Sequence, residues 1–460
     1  MRKSSTPPIF LMRKKNRKHI KKSKSFTKRT KALKNIKAQR QIRLKKIVAS
    51  ERIDISSQSR LAKYFDKLTP SHHNTFRLKK DRLKVKIPKD FNIYEDPEKV
   101  ISFVSKFYRS ILNPKLNTLE VKHNNVNSCV ASEMMLGLVA NEVNTARDST
   151  FPLKVKGMIH DDGTHYEMLN SVGIVAELKQ NTPEKCVKGD VLYFRKDNYL
   201  NESSSGLAND VKNETAKNLV KHLKACLSTQ ELELRENVGK DIEMCIGEVL
   251  DNAHEHCGGT APIWFVRSYL NTTVADKRFF DLTVMNFGLS ISDTFNSLED
   301  DSEAKSLAME YVNYHEGKAN KDVLTTVSAM QGNISSKKDS DSTRGQGTIR
   351  LIETFEGIYK SYEQLRGNYC ESGAQMNIIT GNTVLKFDGK FDSVNISNES
   401  GEEDFIFPFN ECGDLKVPPS TDHVLCMKGV SFPGMLLNIR VPLTGSTTPL
   451  DDEEHNDANN

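Results

Sequence analysis

The chain has 460 residues, a length that predicts two or three domains. Hydrophobic residues make up only 37% of the chain, which is low for packing throughout, so we expect a disordered share. No apolar run reaches membrane-spanning length, and the run at residues 8–12 is too short for a signal peptide. Eight cysteines without a Cys-x-x-Cys pair argue against a disulfide framework and favour reduced thiols, so we expect a cytoplasmic protein.

The net charge of +6 conceals a basic N-terminal arm. Residues 1–50 hold nineteen of the 66 Lys and Arg residues and no acid, which leaves 47 bases against 60 acids elsewhere. Such a block is usually disordered in isolation and suits the phosphate backbone of nucleic acid or an anionic membrane surface. It could also be a solubilising tail. Because its aromatic residues are only Phe10 and Phe26, we expect any nucleic-acid binding to be independent of sequence. We place the arm and a linker at residues 1–76.

Residues 77–195 read as a small α/β domain. Alternating patterns predict strands, and 3.6-residue periodicity predicts helices between them. The strands are expected at residues 82–87, 116–121 and 153–157, and the helices at 98–112, 130–143 and 167–175.

This order, with Ser128 before the apolar helix and Gly173-Ile-Val near the end, resembles STAS-like domains, which occur beside GHKL modules in bacterial regulators. In the signalling members, a serine near the helix start accepts phosphate. The resemblance gives this role to Ser128, with Ser132 as the alternative. Ser128 could instead simply cap the helix. The serine-rich residues 197–206 follow as a predicted linker.

A second domain is expected to begin with two helices, at residues 209–227 and around residues 238–257. The second helix has one apolar stripe, and Glu248 and Asn252 share a different face one turn apart. A carboxylate can polarise a water molecule, and an amide oxygen suits Mg²⁺. A solvated helix face is the alternative. His254, His256 and Cys257 point to different sides of the helix, so we do not expect zinc there.

Two glycine-containing segments follow. A predicted hairpin at residues 263–270 and 279–285 runs into Asn286, Gly288 and Ser290. Much later, residues 344–348 form a glycine-rich loop that leads into a helix, where backbone N–H groups can bind phosphate. A further hairpin is predicted at residues 374–387 and a late strand at 432–443, whereas residues 393–430 look like an insertion.

These motifs, in this order, resemble the GHKL superfamily of gyrase, heat-shock chaperone, histidine kinase and mismatch-repair ATPases. Residues 248–256 look like its N box, most like the anti-sigma-factor kinase form. Asn286 to Gly288 look like the first glycine box, and residues 344–347 like the second. The resemblance implies a GHKL-type α/β sandwich, with helices on one face of a mixed sheet, at residues 207–445. An acidic tail follows at residues 446–460.

The resemblance also implies the site. Glu248 would activate the attacking water and Asn252 would coordinate Mg²⁺, while residues 293–343 would form a lid over ATP. The remaining residues that the resemblance places on the nucleotide are Asn286, Gly288, Arg344, Gly345, Gln346, Gly347 and Thr348.

Asn286 departs from the family pattern, in which an aspartate accepts a hydrogen bond from the adenine amine. An asparagine accepts more weakly, and its NH₂ group could instead donate to a guanine carbonyl. Ser290 likewise replaces the second glycine of the box.

The implied function is a Mg²⁺-dependent ATP-binding protein of the cytoplasm, an ATPase acting as a regulatory switch. Two alternatives stay open: a serine protein kinase of the anti-sigma type, and a nucleotide-sensing module without catalysis. A protein partner or a homodimer is compatible with each of them.

Overall fold

The structure is a computed structural model that describes residues 53–449 with gaps. The gaps are residues 57–58, 70–73, 125, 148–152, 161–163, 180–184, 189–190, 199–207, 230–231, 235, 256, 258–260, 272–278, 332–350, 358, 361–373, 398–402 and 443–446. The basic arm, the second glycine box and the acidic residues after 449 therefore lie outside the described residues.

The N-terminal part (residues 55–179) alternates strands and helices. Its three long strands form a parallel sheet in the order β1-β3-β5, and β2 pairs with β4. This follows from the sequence pattern, because parallel neighbours need a crossover, here a helix. In chain order the elements are α1 (Ala62–Phe65), a 3₁₀ turn (Asp66–Leu68), β1 (Arg82–Lys86), β2 (Asp90–Phe91), α2 (Pro97–Ile111), β3 (Thr118–Asn124), β4 (Asn127–Ser128), α3 (Val130–Arg147), β5 (Lys154–His160), α4 (Thr164–Ser171) and α5 (Ile174–Lys179). The predicted strands and helices of this region are confirmed.

The rest of the chain builds one large sheet of eight strands in the order β15-β12-β11-β16-β10-β9-β7-β6. Its elements are β6 (Lys185–Lys188), β7 (Val191–Asn198), α6 (Ala208–Ser228), β8 (Leu232–Leu234), α7 (Glu236–Glu255), β9 (Ile263–Asn271), β10 (Phe279–Phe287), α8 (Ile291–Asn296), α9 (Glu303–Tyr314), α10 (Lys321–Ala329), helical residues 351–357, β11 (Gln375–Gly381), β12 (Thr383–Phe387), β13 (Val394–Ser397), β14 (Glu403–Ile406), β15 (Val424–Cys426), β16 (Phe432–Pro442) and β17 (Thr447–Pro449). Both predicted hairpins are present, and the predicted mixed α/β class is confirmed.

The large sheet differs from the predicted mixed sheet, because all its neighbouring strands are antiparallel. Three of the pairs, β6–β7, β9–β10 and β11–β12, are joined by short connections, which require antiparallel pairing. None of the helices in the described residues combines the length and apolar character needed to cross a bilayer.

Both faces of the large sheet are covered, whereas the sequence predicts helices on one face only. The helical layer (α6, α7, α10 and residues 351–357) packs on one face through residues such as Trp264, Leu282 and Leu437. The N-terminal part covers the other face, where α3 and α4 pack on β7 and β9. That second face carries buried apolar side chains, including Phe265 and Phe287, whose exposure would forfeit about 25 cal/mol per Å².

Residues 59–69 belong to this core, although the sequence interpretation assigned them to the arm and linker. Leu61, Tyr64, Phe65 and Leu68 are buried. The rings of Tyr64 and Phe65 lie 5.6 and 5.8 Å from that of Phe287 in β10. The spacing of these four residues is that of an amphipathic helix, so the sequence did carry the signal.

Two further features of the structure differ from the predicted domain organisation. Strand β7 crosses the domain boundary predicted at residue 195 and enters the predicted linker, because it pairs with β9 along its whole length. Residues 393–430 contribute to the fold as the β13–β14 hairpin and the edge strand β15, and they bury Phe407 and Phe409 in the main core.

A buried ion-pair cluster joins the N-terminal part to the large sheet. Glu177 in α5 accepts hydrogen bonds from Arg195 in β7 and Arg267 in β9, both at 3.0 Å, and Arg267 also contacts Asp197. The Arg267 side chain is fully buried. Gly137 in α3 permits this approach, because a Cβ atom there would lie 2.7 Å from Glu177 Cγ.

We predict that Arg267→Met lowers the free energy of unfolding by about 3 to 5 kcal/mol, because it leaves the buried Glu177 carboxylate without its main counter-charge. Urea unfolding can be followed by fluorescence, since Trp264 is the single tryptophan of the chain. The control is Arg82→Met, whose half-exposed side chain is 3.5 Å from Glu120 and should contribute less than about 1 kcal/mol. Equal small effects in both variants would contradict the proposed role of the cluster.

Candidate functional site

Helix α7 carries the first two predicted site residues. Its apolar stripe is buried in the main core through Cys245, Val249 and Ala253, as the sequence predicts. Glu248 is exposed and Asn252 is half-buried, so both side chains lie off the stripe. They remain one helical turn apart and reachable by a ligand.

The last turn of α7 is fixed to the large sheet by a hydrogen bond. Trp264 Nε1 in β9 donates to His254 Nε2 at 2.9 Å, and Asn198 Nδ2 in β7 lies 3.4 Å from the same nitrogen. Trp264 is the register partner of Asn198 on one side and of Asn286 on the other. The end of α7 therefore lies over the row of the sheet that contains Asn286.

The side chain of Asn286 carries a buried hydrogen-bond acceptor. The residue is 3% exposed, and its Oδ1 atom has no hydrogen-bond partner among the described residues. By strand alternation it lies on the face of Leu282 and Val284, which is the face covered by the helical layer. An unsatisfied buried acceptor costs about 1 to 3 kcal/mol, so this atom calls for a ligand or another physical explanation.

The turn after Asn286 is held by neighbouring strands. The Gly288 N–H donates to the Pro433 carbonyl at 3.3 Å, and the Ile291 N–H donates to Thr380 Oγ1 at 2.9 Å. Ser290 forms a capping box at the start of α8, in which its hydroxyl accepts from Asp293 N. Serine at the position of the second glycine therefore has a structural role here.

The second glycine box cannot be compared with the prediction, because Arg344, Gly345, Gln346, Gly347 and Thr348 lie outside the described residues. The segment that follows it directly, residues 351–357, is helical as expected. This helix lies beside α7, and Thr354 Oγ1 is 3.5 Å from Cys245 Sγ.

The predicted lid is in large part a packed element. Its described portion, up to Gln331, forms α8, α9 and α10, and α10 buries Val323 and Val327 in the main core. The Gln331 side chain donates to the Phe407 carbonyl and accepts from the Phe407 N–H. The composition of residues 293–331 therefore misled the prediction, while residues 332–343 lie outside the described residues.

Ser128 and Ser132 lie on the other side of the large sheet from Asn286. Ser128 is half-buried, and its hydroxyl is 3.3 Å from His165 Nδ1. Ser132 is fully buried against Cys129, with 3.2 Å between the two heteroatoms. Sequence reasoning missed the cluster around His165, because its members come from three elements and have no ligand-like spacing.

An apolar cavity lies between the helical layer and the sheet, at the far end of β10 from Asn286. Its lining includes Leu223, Ile246, Phe280 and Val441. Apart from Cys245 and Thr354 the lining is apolar, and it contains no charged side chain for phosphate or a metal ion, so this cavity is separate from the candidate site.

Comparison with known proteins adds no relative: the chain matches no protein-family model, and no curated protein or solved structure matches it. The likeness to GHKL ATPases therefore stays a prediction that depends on the order of the motifs.

We predict that acidification breaks the contact between α7 and Trp264. Burial, with help from the charge of Lys212 and against that of Asp251, lowers the pKa of His254 below its ordinary value of 6.5. A group with a depressed folded-state pKa stabilises the protein above its unfolded pKa, and this contribution is lost as the pH falls below about 6.5. The protonated ring can no longer accept from Trp264.

Tryptophan fluorescence measured across this pH range should show a transition in the wild-type protein. The matched variant is His254→Gln, whose amide oxygen can accept from Trp264 but does not titrate. An unchanged transition in that variant would show that another group is responsible.

We predict that Gly434→Ala lowers the free energy of unfolding by about 1 to 3 kcal/mol or more. The backbone of residue 434 has a φ of +116°, which an alanine adopts only under strain. A Cβ atom there would also lie 2.2 Å from the backbone oxygen of Asn286. The control, Gly247→Ala, places a methyl group in open space within α7 and should stabilise by about 0.5 to 1 kcal/mol. Urea unfolding measures both, and equal effects would contradict the strain at Gly434.

Proposed function

We propose that the chain binds a Mg²⁺–purine nucleotide, with ATP as the first candidate, between the last turns of α7 and the Asn286 end of β10. The observation that carries the proposal is the buried acceptor atom of Asn286, which has no donor among the described residues and lies on the face covered by the helical layer. The motif order of the GHKL superfamily supports the same place.

The base would be recognised through Asn286. Its amide oxygen would accept from the exocyclic amine of adenine, which would satisfy the orphaned acceptor. An uncharged acceptor is weaker than the aspartate of the resembled family, so discrimination against guanine should be modest.

The phosphates and the metal would lie along α7. The side-chain oxygens of Glu248 and Asn252 form a hard donor set that fits Mg²⁺, which neutralises phosphate charge when bound. Asn252 would hold the ion and Glu248 would orient the attacking water. Arg344, Gly345, Gln346, Gly347 and Thr348 are proposed to bind the phosphates, with Arg344 contributing its positive charge.

Hydrolysis is favoured over transfer to a serine of the same chain. Ser128 lies in the N-terminal part, behind the large sheet as seen from Asn286, so the nucleotide could not reach it without rearrangement of the fold. A kinase acting on another protein, and a nucleotide sensor without turnover, stay as alternatives. Asn286 and Ser290 favour the sensor, because both depart from the family pattern.

Base recognition can be tested by titrating the full chain with ATP and GTP in Mg²⁺ and following Trp264 fluorescence. We expect Asn286→Leu to weaken ATP binding by about 3- to 10-fold, the value of one hydrogen bond. Asn286→Asp should raise the preference for ATP over GTP, since aspartate accepts more strongly and cannot donate to guanine.

The control is Asn377→Leu, an equally buried asparagine on the opposite face of the sheet that contacts the Ile93 carbonyl. Its affinity for ATP should equal that of the wild-type protein. Equal affinities for ATP and GTP in the wild-type protein, both Asn286 variants and Asn377→Leu would refute the site.

Turnover separates the enzyme from the sensor. We expect Glu248→Gln to lower the rate of ATP hydrolysis by about 100- to 10,000-fold while ATP binding persists. Asn252→Ala should abolish the Mg²⁺ dependence of binding. Glu243→Gln, on another face of α7, serves as the control. A wild-type protein that binds ATP without turnover would establish the sensor.

The basic arm is proposed to bind nucleic acid through phosphate contacts, because residues 1–50 carry positive charge without compensating acids. Binding to DNA or RNA should weaken steeply with salt and should be lost when this segment is removed. Unchanged, salt-sensitive binding by the truncated chain would disprove this role.

A further inference from the structure

A second cluster of chemically active side chains lies in the N-terminal part, behind the large sheet. His123 comes from the end of β3, Glu133 from the first turn of α3, and His165 from the first turn of α4. Their side chains are 2%, 0% and 8% exposed. Burial of a carboxylate with two imidazoles at this depth is costly unless the charge is compensated.

Two distances within the cluster are close to the separation of ligand atoms around a metal ion. His123 Nε2 lies 3.3 Å from Glu133 Oε2, and His165 Nε2 lies 3.6 Å from Glu133 Oε1. One ligand-type atom from each residue can be chosen so that all three lie within 4.8 Å of one another. Ligand atoms around a tetrahedral zinc ion lie roughly 3.3 Å apart, given bonds of about 2.0 to 2.1 Å.

Glu133 has more acceptor capacity than the protein fills. Its Oε1 atom is fully buried and has no hydrogen-bond partner among the described residues. His165 Nε2, at 3.6 Å from this oxygen, is beyond normal hydrogen-bond distance. An unpartnered carboxylate oxygen that faces two imidazoles suits a cation between them.

The outer contact of His165 fixes its orientation for this role. Ser128 Oγ lies 3.3 Å from Nδ1, whereas Nε2 is the ring nitrogen 3.6 Å from Glu133 Oε1, and the Ser128 hydroxyl also interacts with Glu133. Metal-binding histidines commonly hold their second nitrogen in such a contact, which sets the tautomer and presents the other nitrogen to the ion. Ser128 thereby has an alternative to both the phosphoacceptor and the capping roles.

We propose that His123, Glu133 and His165 form a binding site for a divalent transition-metal ion, with Zn²⁺ as the first candidate. Two imidazoles and one carboxylate are a donor set for zinc and neighbouring metals, whereas Ca²⁺ and Mg²⁺ prefer oxygen donors. The ion would tie β3, α3 and α4 together. It would also compensate the buried charge of Glu133. The site is independent of the nucleotide proposal, since it uses none of the same residues.

The test begins with the full wild-type chain, stripped with a chelator and titrated with Zn²⁺ by calorimetry and by metal analysis. We expect one ion that depends on the cluster and a rise in thermal midpoint with Zn²⁺ concentration, because the folded state binds the ion. Substitution with Co²⁺ should give d–d absorption bands of nitrogen and oxygen ligation. No metal uptake, or a thiolate charge-transfer band in place of that spectrum, would overturn the proposal without any variant.

The variants assign the ligands. His165→Asn and Glu133→Gln should weaken Zn²⁺ binding by more than about 100-fold, since loss of an outer contact alone costs about 10- to 100-fold. Ser128→Ala, at a half-buried position, should fall within that smaller range. Circular dichroism establishes that each variant folds.

The matched control is His423→Asn, which removes a buried imidazole lying 3.1 Å from the carboxylate of Asp388. This control should bind Zn²⁺ as the wild-type protein does. Equal affinity in His165→Asn and the control would place the ion elsewhere, for example on the exposed Cys412 or Cys426, and would refute the site.

Discussion

Burial of strand β10 on both faces is the constraint from which most of the architecture follows. Antiparallel sheets often leave one face to solvent, but β10 is buried on both sides almost throughout. Each face therefore needs a cover, and the helical layer and the N-terminal part supply them. The one acid of the strand, Asp281, is neutralised by Arg440, which donates to both of its oxygens at 2.7 and 2.9 Å.

The two covers give the two sides of the sheet different chemistry. On one side, Asn286 lies under the end of α7, which carries the side-chain oxygens of Glu248 and Asn252. On the other side, the next residue, Phe287, lies among the rings of Tyr64, Phe65 and Phe432. Adjacent residues of one strand thus belong to the candidate nucleotide site and to the packing of the N-terminal part. A substitution that shifts Phe287 would therefore also shift Asn286, because the two residues are adjacent in β10.

Local patterns predicted the elements well. The stripe on α7 and the Gly381-Asn382 turn between β11 and β12 depend on neighbouring residues only, and both are present. The strand–helix alternation before residue 160 likewise predicted an α/β domain, and the structure adds that its three long strands are parallel. The helical spacing of Leu61 and Phe65 was equally clear, but the charge of the preceding arm led to their assignment to the linker.

The sequence alone could not predict which distant segments pair or pack together. Nothing near β7 indicates that it pairs with β9, whose register partners lie 66 to 80 residues away along the chain. The helix carrying Glu248 and Asn252 could be predicted, but the register that puts Asn286 beside Trp264 could not. The cluster of His123, Glu133 and His165 forms only when three elements pack together. The periodicity of a single sequence does not show which elements pack against one another.

The close approach of Gly137 to Glu177 has an evolutionary consequence. A side chain at position 137 is compatible with this packing only if the side chain at position 177 is smaller, and a shorter residue there would remove the Glu177 carboxylate from Arg195 and Arg267, of which Arg267 keeps Asp197. We therefore expect substitutions at these positions to occur together in related sequences. A mutational library that varies residues 137, 177, 195 and 267 jointly would explore sequences that single changes cannot reach.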